Sequence, residues 1–321
     1  MNFNLSTGDI LDLYKYAAVL AVGFVVSYLL TPILIKLGPK WGLIDTPDER
    51  RIHLTPTPRS GGIAVFLGFH LACAGAFYLF WPAFKGSLDQ IWWLSFLLAS
   101  SLLLIVGIWD DARDLSPLIK LGGQIASSAL MFLLTGMGVG NILGFDLPYW
   151  IDLFLTIIWC VAIINAFNLI DGMDGLCAGL ALISSTGLVI AFALKGQLGD
   201  GLILLGLMGA SMGFLRFNFH PAKIFLGDAG SMFLGFTLSV VSLQAGGKST
   251  LIVSMGIPLL AAGVPVMDTA LAIWRRSMRR VISKTEGNSD GPKIMGADKD
   301  HLHHRLLDLG LTQRQVALAL Y

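Results

Sequence analysis

Long apolar runs separated by short polar loops dominate this chain, and they leave it few ways to fold. Each run extends for roughly 17 to 25 residues, the length at which an α-helix crosses the hydrocarbon core of a bilayer. Inside hydrocarbon, backbone N–H and C=O groups must be satisfied within the segment, so such runs become helices. Counting them predicts spans over 13–37, 61–81, 91–109, 121–138, 151–169, 176–194, 201–215, 232–247 and 251–274. The expected fold is therefore all-α, a polytopic transmembrane bundle of about nine helices in a single integral-membrane domain over 1–321. Composition excludes an ordinary soluble domain: 55% of the 321 residues are hydrophobic and 13% charged, against about a quarter charged in soluble domains. Met1 to Tyr16 lacks the basic start of a cleaved signal peptide, so the first run is read as a permanent span. Cys73, Cys160 and Cys177 stand singly within apolar runs and read as small core residues.

Basic residues set an orientation. If the loops alternate sides, Lys15, Lys85, Lys195 and Lys248 fall on one side and the remaining 18 of the 22 Lys and Arg on the other. The positive-inside rule then places the N-terminus outside and the basic loops in the cytoplasm. The external loops are short and chemically plain. The residues suited to phosphate chemistry all fall on the cytoplasmic side, and several acids converging at a membrane face imply a site.

Asp110, Asp111 and Asp114 lie within about one turn at the end of a span. Asp114 shares a helix face with each of the others, while Asp110 and Asp111 diverge by about 100°. Their repulsion calls for a cation, although a solvated helix end paired with Arg113 would also accommodate them. Asn165, Asn168, Asp171 and Asp174 recur every third position. Gly172 and Gly175 allow the chain to leave helical geometry there, so that amides at a helix end and carboxylates in a loop address one spot.

The segment from Arg216 to Ser231 combines Asn218, Phe225 and Asp228 with two cations and glycines, a set suited to a nucleotide. Read blandly, Gly227-Asp228 is a turn and Phe225 an interfacial anchor. His301, His303, His304 and Arg305 suit sugar hydroxyls or a diphosphate better than zinc, for which further ligands are wanting. The loop Asp48 to Gly62, stiffened by prolines, presents Arg59 and other cations either to a lipid phosphate or as a topology signal. Asp268, about 10 Å inside the cytoplasmic end, is either a helix partner or the floor of the site.

Together these motifs resemble the polyprenyl-phosphate N-acetylhexosamine-1-phosphate transferase superfamily. They are Asp-Asp-x-x-Asp at 110–114, Asn-Ala-x-Asn-x-x-Asp-Gly-x-Asp-Gly at 165–175, Phe-x-Gly-Asp at 225–228, Pro-x-Pro-x-x-Gly-Gly at 56–62 and the His-x-His-His loop. The last is similar to the enzymes that transfer N-acetylglucosamine-1-phosphate; the phospho-N-acetylmuramoyl-pentapeptide transferases carry a His-His-His type.

The resemblance implies transfer of N-acetylglucosamine-1-phosphate from UDP-N-acetylglucosamine to undecaprenyl phosphate, with the same chemistry on another UDP-N-acetylhexosamine or on UDP-N-acetylmuramoyl-pentapeptide as the alternative. The products would be UMP and the first lipid-linked intermediate of a cell-envelope polysaccharide, made at the bacterial inner membrane. It also implies Mg²⁺, with Mn²⁺ as substitute, held by Asp228 and Asn168. Asp110 and Asp111 would act at the acceptor phosphate, and Asp171 would join these catalytic carboxylates. Asp174, Asn218 and Phe225 would lie near the nucleotide. Lys120 and Arg59 would meet phosphate, and His301, His303, His304 and Arg305 the sugar and diphosphate. The expected partners are a UDP-sugar, a polyprenyl phosphate and the bilayer, with a homodimer left open and no nucleic acid. Longer relatives carry ten or eleven spans, so the end at Tyr321 reads as a natural shortening or a truncation.

An ion-coupled transporter is the rival from another class, but its site would sit near the midplane and reach both faces. A CDP-alcohol phosphotransferase is a further reading, and the Asp-Gly-x-x-Ala-Arg signature expected of one is missing from the chain.

Overall fold

The computed structural model describes residues 7–45, 56–80, 88–142, 145–261, 315–316 and 319. Eight helices follow in order: α1 (Thr7–Leu37), α2 (Gly61–Phe80), α3 (Gln90–Arg113), α4 (Pro117–Thr135), α5 (Tyr149–Ile170), α6 (Leu176–Leu194), α7 (Leu198–Asn218) and α8 (Gly227–Ala261). Among the described residues, seven helices, α1 to α7, are long and apolar enough to cross a membrane by length and composition. Leu98, Ile105, Leu133, Phe154 and Ile190 are among the large apolar side chains they turn outward. The chain is thus a helical polytopic membrane protein.

α8 occupies the centre, packed against α2, α3, α5 and α6. Met232, Phe233, Phe236, Leu238 and Val241 are completely enclosed. This position explains its composition. A helix surrounded by protein need not be uniformly apolar, and Ser231, Thr237, Ser239 and Ser242 bond carbonyls of the preceding turn. Around this post, α1 packs on α2 and α7, and α4 bridges α3 and α5. Gly209 and Gly213 permit the α1–α7 contact, since a Cβ at either would sit within van der Waals distance of the α1 backbone at Leu20 or Phe24.

Two expectations are corrected. The predicted spans 232–247 and 251–274 presuppose a loop near Lys248, yet α8 continues without a break through that position. Gly246 and Gly247 do not interrupt it, since a glycine costs a helix only about 1 kcal/mol. α4 runs over 117–135 rather than 121–138, because Pro117 fits the first turn and Gly136 (φ 65°) closes the helix by donating its N–H to Phe132 O. The all-α bundle carries two short strand pairs in its loops. β1 (Ile44–Asp45) pairs antiparallel with β2 (Thr57–Pro58), and β3 (Asn141–Ile142) with β4 (Phe145–Asp146).

Alternating helix directions bring the loops after α1, α3, α5 and α7 to one end. There residues 58–62, from the end of β2 into α2, dock on the segment leading into α8: Phe225 N bonds Pro58 O (2.8 Å), Gly61 N bonds Phe225 O (3.0 Å) and Gly62 N bonds Leu226 O (2.8 Å). At the other end, buried acids serve the fold. Asp200 accepts from Leu88 N (3.0 Å), and Asp152 from Gly140 N (2.9 Å). All three cysteines are buried.

Candidate active site

The site forms where α3 ends beside the start of α8. α3 continues to Arg113, so Asp110 and Asp111 lie on its last turn and their divergent directions send them to different partners. Asp110 accepts from Leu115 N (2.8 Å) and Lys120 Nζ (2.9 Å). The same Lys120 ammonium contacts the Asp228 carboxylate. Asp111 accepts from Asp228 N (2.9 Å) and Ala229 N (3.1 Å), satisfying two of the amides that open α8. Gly227 has φ 71°, and a Cβ there would collide with the Asp111 carboxylate and the Arg59 carbonyl. Asp114 ends α3 in the left-handed region (φ 46°) with an exposed side chain, so the expected triple cluster reduces to two acids.

The Asn165–Gly175 segment fans out. α5 stops at Ile170 and α6 starts beyond Gly175 (φ 75°). Asn165 exchanges amide bonds with Gln124 of α4 (2.7 and 3.3 Å). Asn168 donates to Ser231 Oγ (3.0 Å) and also hydrogen-bonds the Asp228 carboxylate. Asp171, in the loop, lies close to Asp228, Asp111 and the Gly227 amide. Desolvation by the surrounding protein, followed by the Asp228 and Asp111 charges, pushes its carboxyl well above the ordinary range, outweighing Arg59 and that amide.

Asp174 turns instead to the 219–224 loop, where it accepts from His220 Nδ1 (2.8 Å) and Ala222 N (3.0 Å). Buried Asn218 accepts from Gly175 N (3.1 Å) and donates to Ile224 O (2.9 Å), so both ends of its amide serve as a latch between loops. Phe225 is half-buried in the segment leading into α8, where its backbone bonds Pro58 and Gly61. Arg59 pairs with buried Asp45 (3.1 Å).

The structure therefore brings Asp110, Asp111, Lys120, Asn168, Asp171, Asp228 and Arg59 together, with Asp174, Asn218 and Phe225 in the adjoining loops. His301, His303, His304, Arg305 and Asp268 lie outside the described residues. Gln124, Ser231, His220 and Asp45 were missed as partners. Gln124 left a signal, a carboxamide inside an apolar run one turn beyond Lys120.

Four carboxylates face two cations here, and the donors are oxygens suited to a hard ion. Lys120 already places a positive charge between Asp110 and Asp228. Among the described residues no group of three His, Cys, Asp or Glu side chains has the spacing of a metal site. An ion here would draw on amide, water or substrate oxygens as well.

Such a cluster of acids, cations and amides at one mouth of a helical membrane bundle suits one class of proteins in particular, the membrane-embedded phosphoryl-transfer enzymes. Comparisons with known proteins place the chain within it. Residues 93–246 match the glycosyl transferase family 4 model. A probable undecaprenyl-phosphate N-acetylglucosaminyl 1-phosphate transferase of Bacillus subtilis (strain 168) is 36% identical over 317 residues, 94% of this chain and 81% of the relative. A decaprenyl-phosphate N-acetylglucosaminephosphotransferase of Mycobacterium tuberculosis (strain CDC 1551 / Oshkosh) is 34% identical, covering 92% and 77%. An undecaprenyl-phosphate alpha-N-acetylglucosaminyl 1-phosphate transferase of Escherichia coli O157:H7 is 28% identical, covering 87% and 73%. The chain belongs to glycosyl transferase family 4, in the polyprenyl-phosphate N-acetylhexosamine-1-phosphate transferase superfamily, with the undecaprenyl-phosphate N-acetylglucosamine-1-phosphate transferases as its group. It is an enzyme, a glycosyl-1-phosphate transferase.

Proposed function

We propose that the enzyme transfers N-acetylglucosamine-1-phosphate from UDP-N-acetylglucosamine to undecaprenyl phosphate at the cytoplasmic face of a bacterial inner membrane. The observation that carries this reading is the meeting of Asp110, Asp111, Asp228, Asn168 and Lys120 around the start of α8, in a chain whose relatives bear the names above. An oxygen of the lipid phosphate attacks the β-phosphorus of the nucleotide sugar. The bond from that phosphorus to the oxygen shared with UMP breaks, and UMP leaves.

The acceptor phosphate is largely dianionic near neutral pH, since its second pKa is about 6. Proton removal is therefore secondary, and Asp110 and Asp111 serve to orient the acceptor. Lys120 and Arg59 bind phosphate oxygens, countering the repulsion between two anions. Asp228 and Asn168 would hold Mg²⁺ or Mn²⁺, which when bound neutralises the diphosphate and the charge on the departing UMP. The oxygen-rich donor set and the cation already standing beside Asp228 fit that role. Asp174, Asn218 and Phe225 shape the nucleotide end, while His301, His303, His304 and Arg305 contact the sugar and diphosphate. Direct attack is favoured over an aspartyl phospho-enzyme because the acceptor is already a competent nucleophile.

The test offers the purified enzyme several UDP-sugars with undecaprenyl phosphate. UMP release is expected with UDP-N-acetylglucosamine, is stopped by EDTA, and is lost in Asp228→Ala at saturating magnesium. Full turnover without metal, or in that variant, would refute the reading. A burst of UMP without lipid acceptor would favour the covalent route.

A further inference from the structure

Lys120 lies in the first turn of α4, where a helix is least hospitable to a positive charge because its own amides point that way. What holds the ammonium is outside α4: Asp110 Oδ2 of α3 (2.9 Å) and the carboxylate of Asp228 of α8. The side chain retains 22% of its surface, so the ammonium is not sealed in. Its four-carbon stem is flexible and its charge compact, so the group can change partners with little movement of the helix. Asp228 is also the carboxylate assigned to the divalent ion. Two cations at hydrogen-bonding separation repel strongly in a partly desolvated pocket, so they cannot share that carboxylate comfortably.

We infer that Lys120 is a tethered counter-ion that changes places with the metal: the ammonium leaves Asp228 for the incoming diphosphate while the divalent ion takes the vacated carboxylate. This rests on the nucleotide-sugar reading of the site and adds a binding order to it. Metal and nucleotide bind cooperatively, because each removes the obstacle to the other. By linkage the coupling is reciprocal, each ligand raising affinity for the other by the same factor.

Direct titration of the purified full chain with Mn²⁺, followed by electron paramagnetic resonance with and without UDP, tests this without turnover. In the wild type, UDP is expected to raise Mn²⁺ affinity about tenfold or more. Lys120→Met should bind Mn²⁺ alone about tenfold more tightly than the wild type, since a competing charge has gone, and UDP should then add less. Lys120→Arg, which keeps the charge, should stay near the wild type. Arg113→Met removes an exposed cation seven residues from Lys120 and should shift Mn²⁺ affinity by no more than about twofold.

Equal Mn²⁺ affinity in the wild type and Lys120→Met would overturn the exchange. So would an equal gain in Arg113→Met, which would reduce the effect to net charge. If Lys120→Met gains on Mn²⁺ alone and UDP moves neither protein, Lys120 and the metal compete for Asp228, but the binding order and the nucleotide reading both fail.

Discussion

Asp111 shows how one side chain joins fold and chemistry. Its two oxygens take the amides of Asp228 and Ala229, so the carboxylate that opens α8 also fixes the backbone of its acidic neighbour. Asp111→Ala should leave those amides unsatisfied, at about 1–3 kcal/mol. A lower melting temperature alongside lost activity is expected, and an unchanged melting curve would remove the capping role. Asp171 carries a pH signature. Its folded-state pKa is raised, so this carboxyl is best tolerated in acid, and stability falls as pH climbs from the ordinary carboxyl pKa to the raised one. In metal-free protein, Asp171→Asn should therefore raise the melting temperature more at about pH 8 than at about pH 5, and change it little only near about pH 3, below the ordinary carboxyl range. A gain of equal size at all three would show that ionisation of Asp171 is not the source.

Among elements, the α4–α5 contact turns on the reciprocal amide pair of Gln124 and Asn165. Removing one partner strands a buried polar group, whereas replacing both with apolar groups removes the penalty. Gln124→Leu and Asn165→Leu should each destabilise, and the double variant should recover much of the loss in thermal unfolding. Strict additivity would mean that the two amides are not coupled. These pairings also mark the limit of the sequence. The patterns at 110–114, 165–175 and 225–228 were legible because several chemical residue types sit within a few positions. Gln124 and Asn165 are 41 positions apart, and Asp174 and His220 are 46. Only the packing of α4 on α5 and the fold-back of the 219–224 loop decide which residues meet. The continuity of α8 was hidden for a related reason: apolar run lengths placed Lys248 between two spans, whereas burial of the preceding half against four other helices is a tertiary effect.

At the scale of the whole molecule, alternation of helix direction does most of the work. It gathers four loops at one end, where Asp111 of α3, Asp171 of the α5–α6 turn and Asp228 of α8 become neighbours across more than a hundred positions. The opposite end uses its buried acids, Asp152 and Asp200, to tie down backbone. Apolar run lengths predicted the bundle, and the charge asymmetry predicted that the site end faces the cytoplasm. Single cysteines labelled from each side of the membrane with an impermeant thiol reagent test that convergence most directly. The native cysteines are buried and so shielded. Cysteines replacing the exposed residues Asp114, Gly172 and Lys223 should all label from the cytoplasmic side, and those replacing the exposed Phe145 and Gln197 only from the other. A split of the first three between the two faces would contradict a single site at one end of the bundle.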